Sequence, residues 1–376
     1  MNRTLFSTTA KPVTRALACA VAALIAACAP LPPAKPTVDT GPLVFPAPPD
    51  EPRFVFERTI YSSADVALQD KQAVLRSLLT GQGTTGEGLN KPNTIAVYQG
   101  RIFLSDSGEA VIRVFDVPNG RHFRIGEDDP GKLSKPLGID VDRSGNLYVA
   151  DSGAKSILIY NKDGKFLRRI GNAKWFDRLA NVTVDPKGDR IYLVDIGGVG
   201  SQQHRVRVVD AASGEHLFDF GKRGKDPGEF NFPRDLAVGK DGRLYVVDSG
   251  NFRIQVFDRG GKFLKTFGAI GRQVGQFARP KEIAADPAGN LYVVDTAYGN
   301  FQIFSPEGEL LLFIGSRSER DGPARYMLPS GIYADEDGRV YMVDQWFRKI
   351  DIFRPYNLKA DGGFLGQRSD AKAASK

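Results

Sequence analysis

The fold of this chain is decided by a stretch that reads Asp241-Gly242-Arg243-Leu244-Tyr245-Val246-Val247-Asp248, followed by Arg253-Ile254-Gln255-Val256-Phe257. With residues 232–238 before it and 262–267 after it, the stretch contains four short apolar runs separated by turns that bear glycine. Such runs predict one four-stranded antiparallel sheet. A single sheet of this kind cannot bury both of its faces, so its repetition predicts blades packed around an axis.

Six copies of the pattern follow one another, and the second run of every copy ends at an aspartate: Asp106, Asp151, Asp195, Asp248, Asp295 and Asp344. A ring of six carboxylates could be a set of ligands. Because every copy has the residue, we instead expect each carboxylate to accept backbone N–H bonds in the turn that follows it.

The motifs Pro-x-x-Leu-Ala-Val, Gly-x-Leu-Tyr-Val-x-Asp-Ser-Gly-Asn and Arg-Ile-Gln-Val-Phe resemble those of the NHL-repeat family of six-bladed propellers. The resemblance covers about residues 81–354 and implies an all-β, six-bladed NHL-type β-propeller over residues 81–359. The third copy departs most: Asn181-Val182-Thr183-Val184 lacks the usual proline, and about five residues are added after Asp195.

The sixth copy stops after its third run, Lys349-Ile350-Asp351-Ile352-Phe353. We expect residues 53–61, which have strand composition, to supply its fourth strand and to close the ring without an exposed sheet edge. Within the segment 53–80, the spacing of Val74, Leu75, Leu78 and Leu79 predicts a short helix, although residues 73–79 also fit an outer strand. The polar residues 360–376 predict a disordered tail.

The N-terminus has the features of a bacterial lipoprotein signal. Basic residues precede a short apolar stretch, and Ile25-Ala26-Ala27-Cys28 resembles a lipobox. We expect residues 1–27 to be a signal peptide, Cys28 to be lipidated and the Pro-rich segment 28–52 to be a stiff tether. Ala29 after the cysteine favours the outer membrane, on its periplasmic or its surface face. An ordinary cleaved signal with an incidental cysteine is the alternative.

Composition argues against several classes of function. The net charge is +7, and three of the cations belong to the predicted signal. The remaining positive charge is too small to indicate a nucleic-acid partner, and we expect none. No cysteine follows Cys28, no Gly-x-Ser-x-Gly motif is present, and of three histidines only His204 falls near the predicted channel. The sequence therefore weighs against an enzyme.

The copies differ from one another just before the first strand, where function can be placed on a shared scaffold. Three consecutive copies carry Asn181, Asp235 and Glu282 at this position. Amide and carboxylate oxygens suit calcium or another divalent cation. The sequence therefore offers a metal site at the mouth of the central channel, and with it a metal-dependent hydrolase or lyase as an alternative function.

Aromatic and charged residues in the same group of loops favour a protein-binding surface instead. We expect a scaffolding module of the cell envelope, with one copy of the chain in a complex and a partner protein docked on Arg234, Asp235, Lys281, Glu282, Tyr298, Trp346, His204 and Arg205. A carbohydrate-binding propeller, with sugars stacked on Trp346 and Tyr298, is a further alternative.

Overall fold

The computed structural model describes residues 41–67 and 86–366. Within these residues the apolar runs form strands. Contacts divide the chain into two units, Met1–Gly41 and Pro42–Lys376, and the fold given below is that of the second. In chain order its strands are β1 (Val44–Phe45), β2 (Phe54–Ile60), β3 (Pro92–Tyr98), β4 (Arg101–Asp106), β5 (Val111–Asp116), β6 (Arg121–Ile125), β7 (Pro136–Val141), β8 (Leu147–Asp151), β9 (Ser156–Tyr160), β10 (Phe166–Ile170), β11 (Leu179–Val184), β12 (Arg190–Asp195), β13 (Arg205–Asp210), β14 (His216–Phe220), β15 (Pro233–Val238), β16 (Leu244–Asp248), β17 (Arg253–Phe257), β18 (Phe263–Phe267), β19 (Pro280–Ala285), β20 (Leu291–Asp295), β21 (Asn300–Phe304), β22 (Leu310–Ile314), β23 (Ser316–Arg317), β24 (Arg325–Tyr326), β25 (Pro329–Ala334), β26 (Val340–Asp344) and β27 (Lys349–Pro355).

Helical structure in the described residues is limited to single turns. Three are 3-10 turns, at Ser63–Asp65, Val117–Asn119 and Ser249–Asn251, and one is the α-helical turn α1, Gly363–Gly366. None of the described helices is long and apolar enough to cross a membrane.

The strands form six antiparallel blades around an axis. Blades 1 to 5 are β3–β6, β7–β10, β11–β14, β15–β18 and β19–β22, each paired in sequence order, and β23 pairs with β24 in a short parallel ribbon. The first strand of each blade is innermost and contacts the first strand of the next, in a closed ring that runs β3, β7, β11, β15, β19, β25 and back to β3. The predicted six-bladed β-propeller is confirmed.

The sixth blade combines both ends of the repeat region. Its strand order is β25-β26-β27-β2-β1, and β2 pairs antiparallel with β27 from Phe54 opposite Pro355 to Ile60 opposite Ile350. The predicted closing strand is therefore confirmed. Beyond it, Val44 and Phe45 pair with β2 as a fifth strand. Part of the expected tether, 28–52, therefore belongs to the sheet, because these two apolar residues pair with the edge strand β2.

The core is divided among the contacts between blades. Buried apolar side chains of the described residues form six clusters, and each joins two neighbouring blades. In the second strands both faces are buried, as in Leu291–Asp295, where every residue is buried. This explains why these runs are apolar without alternation.

The six repeated aspartates are buried hydrogen-bond acceptors, with 0% of each side chain exposed. In five blades the carboxylate accepts the N–H groups of the two residues that precede the inner strand of the same blade, as Asp106 does from Asn90 and Lys91, both at 2.9 Å. Five also accept an N–H in the turn that follows, as predicted. The structural interpretation of these residues is confirmed, and extended to the preceding loop.

Two expectations at the ends of the chain have different outcomes. The start of the expected disordered tail, 360–376, is ordered as far as residue 366: α1 places Leu365 in the cluster between blades 1 and 6, and Asp337 accepts the N–H of Phe364 at 2.6 Å. That part of the prediction is wrong because the apolar side chain of Leu365 is buried in the core. The predicted helix at Val74–Leu79 lies outside the described residues.

Replacing one repeated aspartate should destabilise the propeller. Asp295→Ala leaves the N–H groups of Ala278, Arg279, Ala297 and Tyr298 without their acceptor. Each buried unsatisfied group costs about 1–3 kcal/mol, and water entering the site offsets part of this, so we expect the free energy of unfolding to fall by about 3 kcal/mol. Urea denaturation measures it, with Asp128→Ala, at an exposed position, as the control. Equal losses in the two variants would contradict the role of the carboxylate.

Removing the closing strand should open the ring. A variant without residues 1–61 leaves β27 as an exposed edge and uncovers Ile350 and Ile352 of the core. We expect its thermal midpoint to lie below that of a variant without residues 1–41, and an added peptide of residues 42–61 to restore the midpoint by mass action. The same peptide with Ile60→Asp should not restore it. Equal midpoints for the two shortened chains would show that β2 is dispensable.

Candidate functional site

The inner strand of every blade bulges at the position where the copies differ. The pairing of β15 with β16 shifts between Pro233 and Leu236, and that of β19 with β20 shifts between Pro280 and Ile283. The residues displaced from the ladder are the pairs Arg234-Asp235 and Lys281-Glu282. A bulge leaves backbone groups without a partner in their own sheet. Side chains of the neighbouring blade can therefore bind them near the axis.

Asp235 joins three blades through such bonds. Its Oδ2 accepts the N–H of Ile283 in blade 5 at 2.8 Å, and its Oδ1 accepts the N–H of Leu236 at 2.7 Å. The side-chain amide of Asn181 in blade 3 donates to the same Oδ1. Burial raises the pKa of Asp235 to about 7. Asp235 is thus a brace between blades as well as a wall of the axial channel.

Asp140 of blade 2 plays a similar part, and the sequence analysis did not select it. Its two oxygens accept the N–H groups of Val141 and of Val184 in blade 3, each at 2.8 Å. Desolvation raises the pKa of Asp140 to about 7. The pair at the compared position in this blade, Leu137-Gly138, is neutral, so comparison of the copies does not point to Asp140. A charged residue inside the apolar run Ile139-Asp140-Val141 was the signal that could have found it.

Glu282 differs from the other two carboxylates because one of its oxygens is unpaired. It is 6% exposed, and its Oε2 has no hydrogen-bond partner in the described residues. Burial, together with the charge of Asp235, raises the pKa of Glu282 well above its usual range. The cause lies in the neighbouring blade: Asn181 supplies an N–H donor to Asp235, whereas Asp235 has none to supply to Glu282.

The structure brings the three predicted metal ligands to one end of the channel, with Asn181 bonded to Asp235 and Asp235 acting on the charge of Glu282. Asn181 Oδ1 accepts the N–H of Val182, and both oxygens of Asp235 accept N–H groups. No group of three or more His, Cys, Asp or Glu residues within 41–67 and 86–366 has an arrangement that could hold a metal ion. The calcium site stays a prediction, and Glu282 Oε2 is the unpaired oxygen it would have.

Three residues of the predicted docking surface are buried: His204, Asp235 and Glu282 are 0%, 5% and 6% exposed. Their expected exposure is corrected. For His204 the reason is a backbone bond, because its Nδ1 accepts the N–H of Phe232 at 3.1 Å. In blade 4 the repeated Asp248 accepts only the first N–H of the preceding pair, from Asn231. His204 takes the second, so it completes the scaffold.

The other five residues lie where the loops between blades meet the loops after the second strands. Arg234 and Trp346 are exposed, and Tyr298 and Lys281 are half-buried. The hydroxyl of Tyr298 donates to the carbonyl of Gly271, and Lys281 Nζ is 3.5 Å from Asn93 Oδ1. Arg205 is held by Asp219 at 2.7 Å. We call this side of the propeller, where the inner strands begin, the top face.

Comparison with known proteins agrees with the repeats. The profile described as NHL repeat matches residues 133–160 and 230–257. NHL repeat-containing protein 3 of Homo sapiens is 32% identical over 127 residues, which are 30% of this chain and 35% of that protein. Protein brain tumor of Drosophila melanogaster is 28% identical over 149 residues, 37% of this chain and 13% of its own length. This chain therefore spans about a third or less of these relatives.

Solved structures share the fold. A gluconolactonase from Xanthomonas campestris has a TM-score of 0.54 at 16% identity, covering 71% of this chain and 86% of its own. Virginiamycin B lyase from Staphylococcus aureus has a TM-score of 0.51 at 14% identity, covering 81% and 89%. At such identities the likeness is one of architecture alone. With its repeat motifs and its six blades, this chain contains NHL repeats and folds as a six-bladed β-propeller.

Proposed function

We propose that this chain is a docking module of the bacterial cell envelope, held at the outer membrane by a lipid on Cys28, which binds a partner protein on the top face of its propeller. The observation that carries the docking proposal is the position of exposed apolar side chains. Among the described residues the four most exposed large hydrophobic side chains are Val199 (80%), Ile270 (68%), Trp346 (62%) and Val274 (59%).

All four belong to loops of the top face. Val199 follows the second strand of blade 3, Trp346 follows that of blade 6, and Ile270 and Val274 lie in the connection from β18 to β19. The bond between Tyr298 and Gly271 ties an aromatic residue to that connection. Several exposed apolar side chains on one face indicate an interaction surface. Tryptophan is enriched among the hot-spot residues that contribute most to the binding free energy.

The exposed arginines of the top face indicate which kind of partner surface it would bind. Arg272 and Arg279 are exposed on the same connection as Ile270, and Arg234 is exposed at the neighbouring inner strand. Cations around an apolar centre fit a partner surface with acidic residues at its rim. The docking surface is therefore redefined as Trp346, Ile270, Val274, Tyr298 and Arg234, and the buried Asp235, Glu282 and His204 are left out.

The alternative, a metal-dependent hydrolase or lyase, has one specific observation in its favour. Glu282 Oε2 is a buried carboxylate oxygen without a donor at the upper end of the axial cavity. The gluconolactonase and the lyase with the same architecture are consistent with it but share only the fold. The top-face proposal has the wider support, because several loops contribute to it.

Removing the apolar centre of the top face should abolish partner binding. In intact cells we expect crosslinking and recovery of Trp346→Ala/Ile270→Ser to yield at least about tenfold less of a protein that copurifies with the unchanged chain, as loss of a central aromatic predicts. Leu264→Ser is the matched control, since Leu264 is 45% exposed on an outer strand. Equal recovery with the double variant, or equal loss with Leu264→Ser, would remove the top face from the proposal.

The lipid anchor is tested with the two cysteines of the chain. Cys28→Ser should abolish incorporation of an alkynyl fatty acid and release the protein from the membrane fraction, because the cysteine sulfur is the atom that would take the diacylglycerol. Cys19→Ser, in the same predicted signal, should keep both the label and the fractionation. Labelling that persists in Cys28→Ser would contradict lipidation at this position.

A further inference from the structure

A cavity of about 700 Å³ runs along the propeller axis below the carboxylates of Asp235 and Glu282. It is lined by the inner strands of all six blades, by residues that follow them, including Arg143 and Lys240, and by Phe364 of α1. Turns after the inner strands lie on the side opposite to the top face. The cavity thus extends toward that bottom face, and the docking surface proposed above does not use it.

The residues of this cavity are mainly acidic, although the whole chain carries a net charge of +7. Among the described residues that line the cavity, eight are acidic and two, Arg143 and Lys240, are basic. Burial raises the pKa of Asp140 and Asp235 to about 7 and that of Glu282 well above its usual range, so the cavity is most negative above neutral pH. A narrow cleft lined by one sign of charge concentrates ligands of the other sign. The cavity is therefore suited to a cation.

Glu282 provides a specific point of attachment. Its Oε2 is buried at the upper end of the cavity and has no donor in the described residues. The ammonium of Lys281 lies 3.5 Å from Asn93 Oδ1 and forms no ion pair with Glu282 within 4.0 Å in the described residues, although its charge and that of Arg234 act on Glu282 from farther away. A buried carboxylate oxygen without a donor is costly, and an N–H donor from a ligand would remove that cost.

The walls decide between an inorganic and an organic cation. Calcium takes six to eight oxygen ligands, whereas the oxygens of Asp235 and of Asn181 already accept N–H bonds. Between the carboxylates the wall consists of apolar side chains such as Val182, Leu236 and Ile332. A volume of about 700 Å³ is that of a site for a small organic molecule.

We propose that the axial cavity binds a small organic ammonium ion, with its N–H donors on Glu282 Oε2 and its apolar part against the inner strands. The ligand enters from the bottom face, past Lys240. This leaves the top face free, so the chain can hold a ligand and a partner protein at the same time.

The test is calorimetric titration of the full chain with 2-phenylethylammonium, and with the neutral 2-phenylethanol and calcium chloride as comparisons. We expect saturable binding of one ammonium ion, with the alcohol bound at least about tenfold more weakly, since hydrogen bonds to a charged group are the stronger ones. Glu282→Gln should weaken the ammonium complex by at least about tenfold, and Asp128→Asn, at an exposed position, should not change it.

Several results would overturn the proposal: no saturable binding of the amine, equal affinity for amine and alcohol, or an unchanged affinity in Glu282→Gln. Calcium that displaces the amine and binds more tightly would favour the metal site instead. Should Glu282→Gln fail to fold, Lys240→Glu decides, because Lys240 is exposed at the bottom of the cavity. It should strengthen binding of the amine at low salt and leave the alcohol unchanged, and no gain for the amine would count against the site.

Discussion

The propeller depends on a carboxylate buried at the same place in every blade. Because the chain must pass from the outer strand of one blade to the inner strand of the next, the residues before each inner strand present N–H groups that no sheet satisfies. The aspartate at the end of the second strand accepts them, as Asp151 does from Ser134 and Lys135. A buried donor without an acceptor is costly, so this one interaction fixes where each blade begins relative to the last. It also explains why six carboxylates near one face are not a ring of ligands.

A second set of acceptors serves the inner strands, each of which lies at the edge of its sheet and pairs with another strand on one side only. Side chains of the previous blade accept N–H groups on the side toward the axis: Asp140 accepts that of Val184, and Asp235 accepts that of Ile283. The hydrogen bonds of Asp140 and Asp235 therefore join neighbouring blades, and the raised pKa values of these carboxylates follow from burial. A ligand can bind where a carboxylate oxygen has no N–H donor from the protein. That happens at Glu282, because the residue beside it in blade 4 is another carboxylate rather than an amide.

The two faces of the molecule consequently offer different chemistry. On the top face, loops after the second strands and between blades expose Val199, Ile270 and Trp346, which the blades themselves do not require. Along the axis and toward the bottom face, acidic side chains surround an apolar cavity. The same ring of blades supports both faces, and each blade contacts mainly its two neighbours.

The period of the apolar runs, the glycine turns and the six aspartates determined the blades, their number and the closing strand, because these depend on contacts that recur in every copy. The comparison of copies also located the inner-strand pairs correctly, but not what their side chains do. Whether His204 is exposed, or Asp140 matters, depends on which N–H groups a neighbouring blade leaves unpaired, and strand register across blades decides that. The sequence by itself therefore determined the scaffold. Only the tertiary structure decided which oxygen, Glu282 Oε2, is left without a donor. The physical reason is that the donors available to a buried oxygen depend on which neighbouring strands and side chains surround it.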